Sequence, residues 1–339
     1  MKLVSIVVPV FNEQENVKMF YQEVCRYMDT LGYVYELIFI DDGSRDDTAR
    51  ILNLLTQQDA KVKVVFLARN FGHQVALTCG LDYAGGDAVI TMDGDLQHPP
   101  QLLPVLLRKW EEGFEVVQTV RVDTAGVSWL KKVTSSLFYQ LINTMSDVHI
   151  VEGGSDFRLL DKKVVRTFQR FNEKARFIRG IIGDMGYQQA QLEFVAPERF
   201  AGKSKFSPRK MISFALDGIT AYSKLPLRFA FSLGLLFGLL SFGLTLDVVY
   251  TRLFTTDAVP GWATIAASIL LLGGVQLVGL GIIGEYIGRI FEEVKQRPLY
   301  WVRAELNSHA EPVPEKSSDH SNLEYQKNNR SFPKMRLQR

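Results

Sequence analysis

The chain has 339 residues, enough for one large domain with additions or for two modest ones. Its formal net charge of +2 supplies no overall basic field, so nucleic acid is not an expected partner. Cys25 and Cys79 are too few for a disulfide framework and fit a reducing compartment.

The opening "MKLVSIVVPVFNEQEN" has a short apolar run followed by Asn12 and Glu13 with no small-residue cleavage site. It predicts a first strand, not a signal peptide. Further along, "LVSIVVPV", "YELIFIDD", "VKVVFLARN", "DAVITMDGD" and "FEVVQTVR" read as strands, and residues 15–30, 45–58, 73–84 and 100–112 carry helical periodicity between them. This alternation predicts an α/β fold with a mostly parallel sheet and helices on both faces. In such sheets ligands collect at the carboxyl ends of the strands. Four of the predicted strands end in polar groups, and these are expected to converge on one edge: Asn12 and Glu13, Asp41 and Asp42, Arg69 and Asn70, Asp93 and Asp95.

From about 125 to 225 the pattern is less regular, mixing "WLKKVTSSLFYQLINTM" with the glycine turns "VEGGSDFR" and "RFAGKSKFS". These are expected to close over the sheet edge and complete a catalytic domain spanning 1–205. Residues 206–228, including "PRKMISFALDGITAYSKLPLR", are amphipathic with basic ends and predict juxtamembrane helices along a membrane surface. Segments 229–250 and 262–283 lack Lys, Arg and Glu, and each reaches about 33 Å as a helix, enough to cross a bilayer core of roughly 30 Å. They predict a two-helix transmembrane hairpin within 229–288. Arg209, Lys210, Lys224 and Arg228 precede it, Arg289, Lys295, Arg297 and Arg303 follow it, and the loop holds only Arg252. The catalytic domain and both termini are therefore expected in the cytoplasm. Residues 289–304 read as a cytoplasmic juxtamembrane segment and 305–339 as a disordered tail. The glycines of "LGGVQLVGLGIIG" give a face on which helices, and copies of the chain in a homo-oligomer, could pack closely.

The stretch "TMDGDLQHPP" sets Asp93 and Asp95 two residues apart at a strand end. Their mutual repulsion makes sense if a hard divalent cation, Mg²⁺ or Mn²⁺, sits between them and draws its remaining ligands from a diphosphate. His98 beside them is a poor ligand for such an oxygen-rich site, and His73 in "RNFGHQ" reads as a helix-start residue, not a base.

"SIVVPVFNEQEN", "IDDGSRDDT", "ARNFGHQ", "MDGDLQHPP", "GGSDFR" and "RFAGKSKF", followed by "ALDGIT" and "GIIGEYIGRIFEEVKQRPLY", resemble the polyprenyl-phosphate glycosyltransferases of glycosyltransferase family 2 over residues 3 to about 303. These include bactoprenol glucosyltransferases and, more distantly, dolichol-phosphate mannose synthases. The resemblance implies a glycosyltransferase-A (Rossmann-like) domain and an inverting, metal-dependent transfer of one hexose, glucose or N-acetylglucosamine, from a UDP-linked sugar to undecaprenyl phosphate. It also implies the bacterial inner membrane. Pro9, Phe11, Glu13, Asp41, Asp42, Arg69, Asn70 and Asp93 would hold the nucleotide sugar, and Asp93, Asp95 and Gln97 the metal and diphosphate. On the acceptor side Arg121, Lys131, Lys132, Ser135, Arg199, Lys203 and Lys205 supply the positive charge and hydroxyl that a lipid phosphate needs.

Asp156 in "GGSDFR" stands where the family places its proposed catalytic base. A phosphate monoester, with a second pKa of about 6, is already largely dianionic at neutral pH and needs no base. Asp156 is therefore either a base or a group that orients the acceptor or holds a cation such as Arg158. Two other readings are a processive polysaccharide synthase, for which the chain lacks the Gln-x-x-Arg-Trp motif, and a membrane-anchored binding protein without turnover.

Overall fold

The computed structural model describes residues 1–122, 153–174, 176–195, 225–254 and 261–307. The first part alternates strand and helix: β1 (Leu3–Val10), α1 (Val17–Met28), β2 (Val34–Asp41), α2 (Thr48–Gln58), β3 (Val62–Leu67), α3 (His73–Tyr83), β4 (Ala88–Thr91), α4 (Leu103–Glu111) and β5 (Val116–Arg121). Then follow β6 (Gly154–Asp161), α5 (Lys162–Phe168), α6 (Ile178–Asp184), β7 (Gln189–Phe194), the long helices α7 (Leu225–Phe254) and α8 (Trp262–Val294), and β8 (Val302–Leu306).

The eight strands form one sheet in the order β7-β5-β6-β4-β1-β2-β3-β8. β6 and β8 run against their neighbours and the other pairings are parallel, so the expected mostly parallel sheet is present. β1 is central and buried along nearly its whole length because helices cover both of its faces. Its side chains alternate: Val4, Ile6 and Val8 join the core with Phe20, Phe39 and Trp110, while Val7 joins the opposite core with Ile40, Leu77 and Phe168. α3 lies directly on the sheet at Gly80, where an added Cβ would stand 2.1 Å from Val7 Cγ1.

The five strands and four helices expected over the first part all form. β6, β7 and β8 were not anticipated, and β6 inserts between β4 and β5, which are consecutive strands in sequence. The stretch 206–224 expected to lie on a membrane surface falls outside the described residues, and 225–228 belong to α7.

α7 and α8, of 30 and 33 residues, are about 45 and 50 Å long at roughly 1.5 Å per residue. They expose large apolar side chains along their length, Phe229, Phe231, Leu239, Leu277 and Leu280 among them. Among the described residues, Leu271–Val294 of α8 is long and apolar enough to cross a membrane. α8 outruns the expected boundary at Ile283 because nothing breaks it before Gln296, whose left-handed φ of 47° terminates the helix two residues ahead of Pro298.

The chain then returns to the sheet. Residues 302–306, split in the sequence reading between a juxtamembrane segment and a tail, form β8 and pair antiparallel with β3, Phe66 opposite Ala304. Tyr300 donates to Asp82 of α3 at 2.9 Å, the Ala68 amide donates to the Trp301 carbonyl at 2.8 Å, and Asn307 donates to the carbonyls of Thr56 and Val62. The strand is only five residues long, contains Arg303 and Glu305 and is largely exposed, so its periodicity is weak and its pairing is a tertiary choice.

This seat gives β8 a role in stability. Ending the chain at Pro298 instead of Ser308 should lower the melting temperature of the detergent-solubilised protein by several degrees and weaken protection of the β3 amides in hydrogen exchange; unchanged exchange in β3 would show the strand to be dispensable.

Candidate active site

The carboxyl ends of β1, β2 and β3 carry loops that are stapled to one another. The Asn12 amide donates to Ser44 Oγ at 2.9 Å, the Arg45 amide donates to Asn12 Oδ1 at 2.8 Å, and the Glu13 amide donates to Thr48 Oγ1 at 2.9 Å. Asn12 adopts φ 54° to make this turn, a conformation its short polar side chain tolerates. Gly43, at φ +71°, lets the β2 loop touch the β3 loop: a Cβ there would meet Arg69 C at 2.7 Å and Asn70 N at 2.8 Å.

Asp42 uses both carboxylate oxygens on backbone amides, Phe71 at 2.7 Å and Gly72 at 2.9 Å, and so fixes the entry to α3. Burial pushes its pKa up against the pull of these bonds. Asp41 accepts from the Ser44 amide through Oδ1, while its buried Oδ2 has no hydrogen-bond partner and its pKa is likewise raised by burial. Of this pair, Asp41 keeps an acceptor for a ligand hydroxyl or N–H. Glu13 accepts from Asn16 Nδ2 at 2.7 Å, Pro9 is buried inside β1, and Phe11 is half-buried at its end. Arg69 stacks on Phe71, with its guanidinium carbon 4.2 Å from the ring centre, and Asn70 is exposed beside it.

β4 ends in the acidic turn. The Asp93 amide donates to His98 Nδ1 at 2.8 Å, so the neutral imidazole carries its proton on Nε2, 2.8 Å from Ser155 Oγ. His98 is buried and stacked on Phe157 with ring centres 5.2 Å apart. Its two nitrogens are spent on the Asp93 amide of the turn and on Ser155 of β6. Asp95 accepts from the Gln97 amide at 3.1 Å across Leu96, a branched residue held at φ 63° by packing of its side chain on the core.

Asp156 enters from β6, which runs antiparallel beside β4 and brings its first residues to the same edge. Its Oδ1 accepts from Arg158 at 2.7 Å and Arg179 at 3.0 Å; its Oδ2 accepts from Gln74 at 3.2 Å and lies 3.4 Å from His73 Nε2. Burial opposes ionisation, but the His73 contact and the two guanidinium groups outweigh it and hold the carboxyl well below the usual carboxylate range. Burial draws Arg158 down to about 10, still cationic at neutral pH. His73 also lies 3.5 Å from Asp93 Oδ1. Burial works against its imidazolium, yet Asp156 and Asp93 raise it to about 9. His73 is thus the first residue of α3, as expected, and also a charged link between the two carboxylates.

A divalent cation fits the acidic turn on one observation: Asp93 Oδ1, 3.5 Å from His73 Nε2, is a buried carboxylate oxygen that accepts no hydrogen bond. Among the described residues no group of three or more His, Cys, Asp or Glu could enclose a metal. The donor set is two carboxylates, which suits Mg²⁺ or Mn²⁺ completed by substrate phosphate and water. Arg121, one of the residues expected to face a lipid phosphate, lies at the carboxyl end of β5, exposed, with its amide bonded to the Gly153 carbonyl beside β6. Lys131, Lys132, Ser135, Arg199, Lys203 and Lys205 lie outside the described residues.

Gln74, Ser155 and Arg179 were missed as site residues. Asp156 and Arg158 share one side of a strand by their two-residue spacing, so that pair has a local signal. Gln74 and Arg179 come from elements far apart in sequence and have none.

The described residues thus combine a mixed sheet that gathers acidic loops at one edge with two long apolar helices that follow it. Residues 5–168 match the model of Glycosyl transferase family 2 and residues 225–290 that of the GtrB C-terminal hairpin. The chain is 43% identical over 299 residues to the uncharacterized glycosyltransferase YkcC of Bacillus subtilis strain 168, covering 88% of this chain and 93% of that protein. It is 42% identical over 300 residues to the SfII prophage-derived bactoprenol glucosyl transferase of Shigella flexneri, covering 88% and 97%. The chain belongs to glycosyl transferase family 2. Among solved structures it is similar to glucosyl-3-phosphoglycerate synthase from Mycobacterium tuberculosis, crystallised with Mn²⁺, UDP-glucose and phosphoglyceric acid, at TM-score 0.43 and 20% identity over 65% of this chain and 78% of that one.

The role of His98 can be tested directly. His98→Phe keeps the ring stack but leaves the Asp93 amide and Ser155 hydroxyl without their partner, and should cost about 1–3 kcal/mol in denaturant unfolding. Protection of the Asp93 amide in hydrogen exchange should fall with it, because the acidic turn loses its anchor.

Proposed function

We propose that the protein transfers glucose from UDP-glucose to a polyprenyl phosphate at the cytoplasmic face of the bacterial inner membrane, with inversion at the sugar carbon. The observation that carries this reading is the position of His73 Nε2, 3.5 Å from Asp93 and 3.4 Å from Asp156. The carboxylate expected on the donor side and the one expected on the acceptor side meet around a single imidazole, so donor phosphate and acceptor would meet there too. The glucosyl donor and bactoprenol acceptor rest on similarity to proteins bearing those names.

In this mechanism the Asp41 carboxylate and the aromatic and polar groups at the ends of β1 and β3 hold the nucleotide. Asp93 and Asp95, with Gln97 beside them, would hold Mg²⁺ or Mn²⁺, which stabilises charge on the departing diphosphate. The lipid phosphate oxygen attacks the anomeric carbon as the bond to UDP breaks, on the opposite face. No proton need leave the acceptor, because the phosphate dianion is already nucleophilic. Asp156 suits this chemistry as an orienting group. A base works best with a pKa near the operating pH, whereas this carboxyl is held far below it by Arg158 and Arg179. Arg121 and the basic residues of 131–135 and 199–205 would receive the lipid phosphate, and the hairpin keeps the site within reach of the headgroup.

Transfer of labelled sugar to undecaprenyl phosphate by detergent-purified protein tests the reading. Label should move from UDP-glucose and not from UDP-N-acetylglucosamine, and should disappear with chelator and in Asp95→Asn. Transfer that persists in chelator would remove the metal from the mechanism, and transfer from the acetylated donor would reassign the sugar.

Asp156→Asn should lose on the order of 100-fold or more in kcat with no recovery at alkaline pH. The wild-type rate should fall as pH drops through about 6, where the lipid phosphate gains its second proton, while Asp156 stays ionised. A limb that follows a protein carboxylate, abolished in Asp156→Asn, would make Asp156 the base.

A further inference from the structure

Gln74 has no counterpart in the reading above, yet its amide is placed between the two halves of the site. Its Nε2 donates to Asp156 Oδ2 at 3.2 Å, and its Oε1 accepts from the Ile178 amide at 3.2 Å. The next residue, Arg179, returns to Asp156 through Nε at 3.0 Å. Gln74, Asp156, Arg179 and Ile178 therefore close a hydrogen-bonded ring that joins the start of α3, the start of β6 and the start of α6. The orientation of the amide is fixed by its partners: a carboxylate can only accept and a backbone N–H can only donate.

We infer that Gln74 is a positioning residue for the transfer reaction, setting the angle of the Asp156 carboxylate and locking α6 to the donor half of the site. Arg158 and Arg179 both approach Oδ1. Left to these alone, the carboxylate could turn about its bond to the strand and carry Oδ2 away from His73. Gln74 is the neutral donor that fixes the second oxygen, and it does so from the same helical turn that Asp42 pins through the Phe71 and Gly72 amides. The nucleotide-side loop and the acceptor-side carboxylate are thus registered to one another through Gln74 beside His73, and of the two only Gln74 also ties in the Ile178 amide of α6.

The inference rests on the reading of Asp156 as a group that acts on the acceptor, so Asp156→Asn is measured alongside. Gln74→Met keeps length and volume without hydrogen bonding, and Gln74→Glu keeps shape but sets a like charge against Asp156. With wild-type kcat as reference, the expected order is Gln, then Met lower by on the order of 10-fold, then Glu lower by on the order of 100-fold. The KM for UDP-glucose should stay within about twofold and the melting temperature nearly constant, since a small misplacement of Asp156 damages the reacting geometry and not donor binding. Wild-type kcat in both variants, equal losses in both, or a loss that follows donor KM or melting temperature would overturn the inference and leave Gln74 as a packing residue. If Asp156→Asn itself turns over normally, the reading of Asp156 has failed instead.

Discussion

The site depends on one buried charge. Asp156 and Arg158 are 8% and 2% exposed, and an ionised group so far from water survives only if it is paired and hydrogen-bonded. Their 2.7 Å contact pairs the two charges on one strand, Arg179, Gln74 and His73 complete the set around Asp156 from two helices, and Arg158 Nη2 also donates to the Ser155 carbonyl while its Nη1 is buried without a partner. Removing one partner of such a pair costs about 3–5 kcal/mol, because the other is left buried and unmatched. The same contacts that make the cluster tolerable inside the protein also point one carboxylate toward the acidic turn. Stability and geometry are therefore set by the same bonds.

The sheet makes this possible through a reversed strand. Had β5 followed β4 in the sheet as it does in the chain, the edge beside Thr91 would carry only another parallel strand end. Because β6 runs the other way, its first residues lie next to the last residues of β4, and Thr91 Oγ1 donates to the Asp156 carbonyl at 2.5 Å. The turn at Asp93 and the carboxylate at Asp156 are thereby anchored to adjacent backbones. His98 reinforces the join from the other side, bonding the Asp93 amide and Ser155 with its two nitrogens.

The long helix α8 is tied to this arrangement. Glu293 in the last turn of α8 accepts from the Lys174 amide at 2.7 Å, and Lys174 in turn donates to the Arg297 carbonyl, just ahead of the segment that enters α6. Tyr300 and Trp301 grip α3 and the β3 loop, Trp301 packing edge-on against Phe71 with ring centres 6.4 Å apart. Both helices that supply the ring around Asp156 are consequently held by chain that has just left α8.

Local physics made much of this legible from the residues. The apolar runs of β1 to β5, the amphipathic helices between them, the long apolar stretches of α7 and α8, and the carboxylate pair at 93 and 95 are all short-range patterns, so the sequence by itself determined the fold class and the polar loops at the carboxyl ends of β1 to β4. It also placed Asp156, through its motif, and left open whether that carboxylate abstracts a proton. The tertiary structure decided what the sequence could not: the insertion of β6 between β4 and β5, the return of 302–306 as β8, and the partners of Asp156. Gln74, Asp156 and Arg179 are far apart along the chain and share no spacing that periodicity can detect. Long-range strand pairing brings them together, and with it a proximity of charges that holds the Asp156 carboxyl well below the usual carboxylate range.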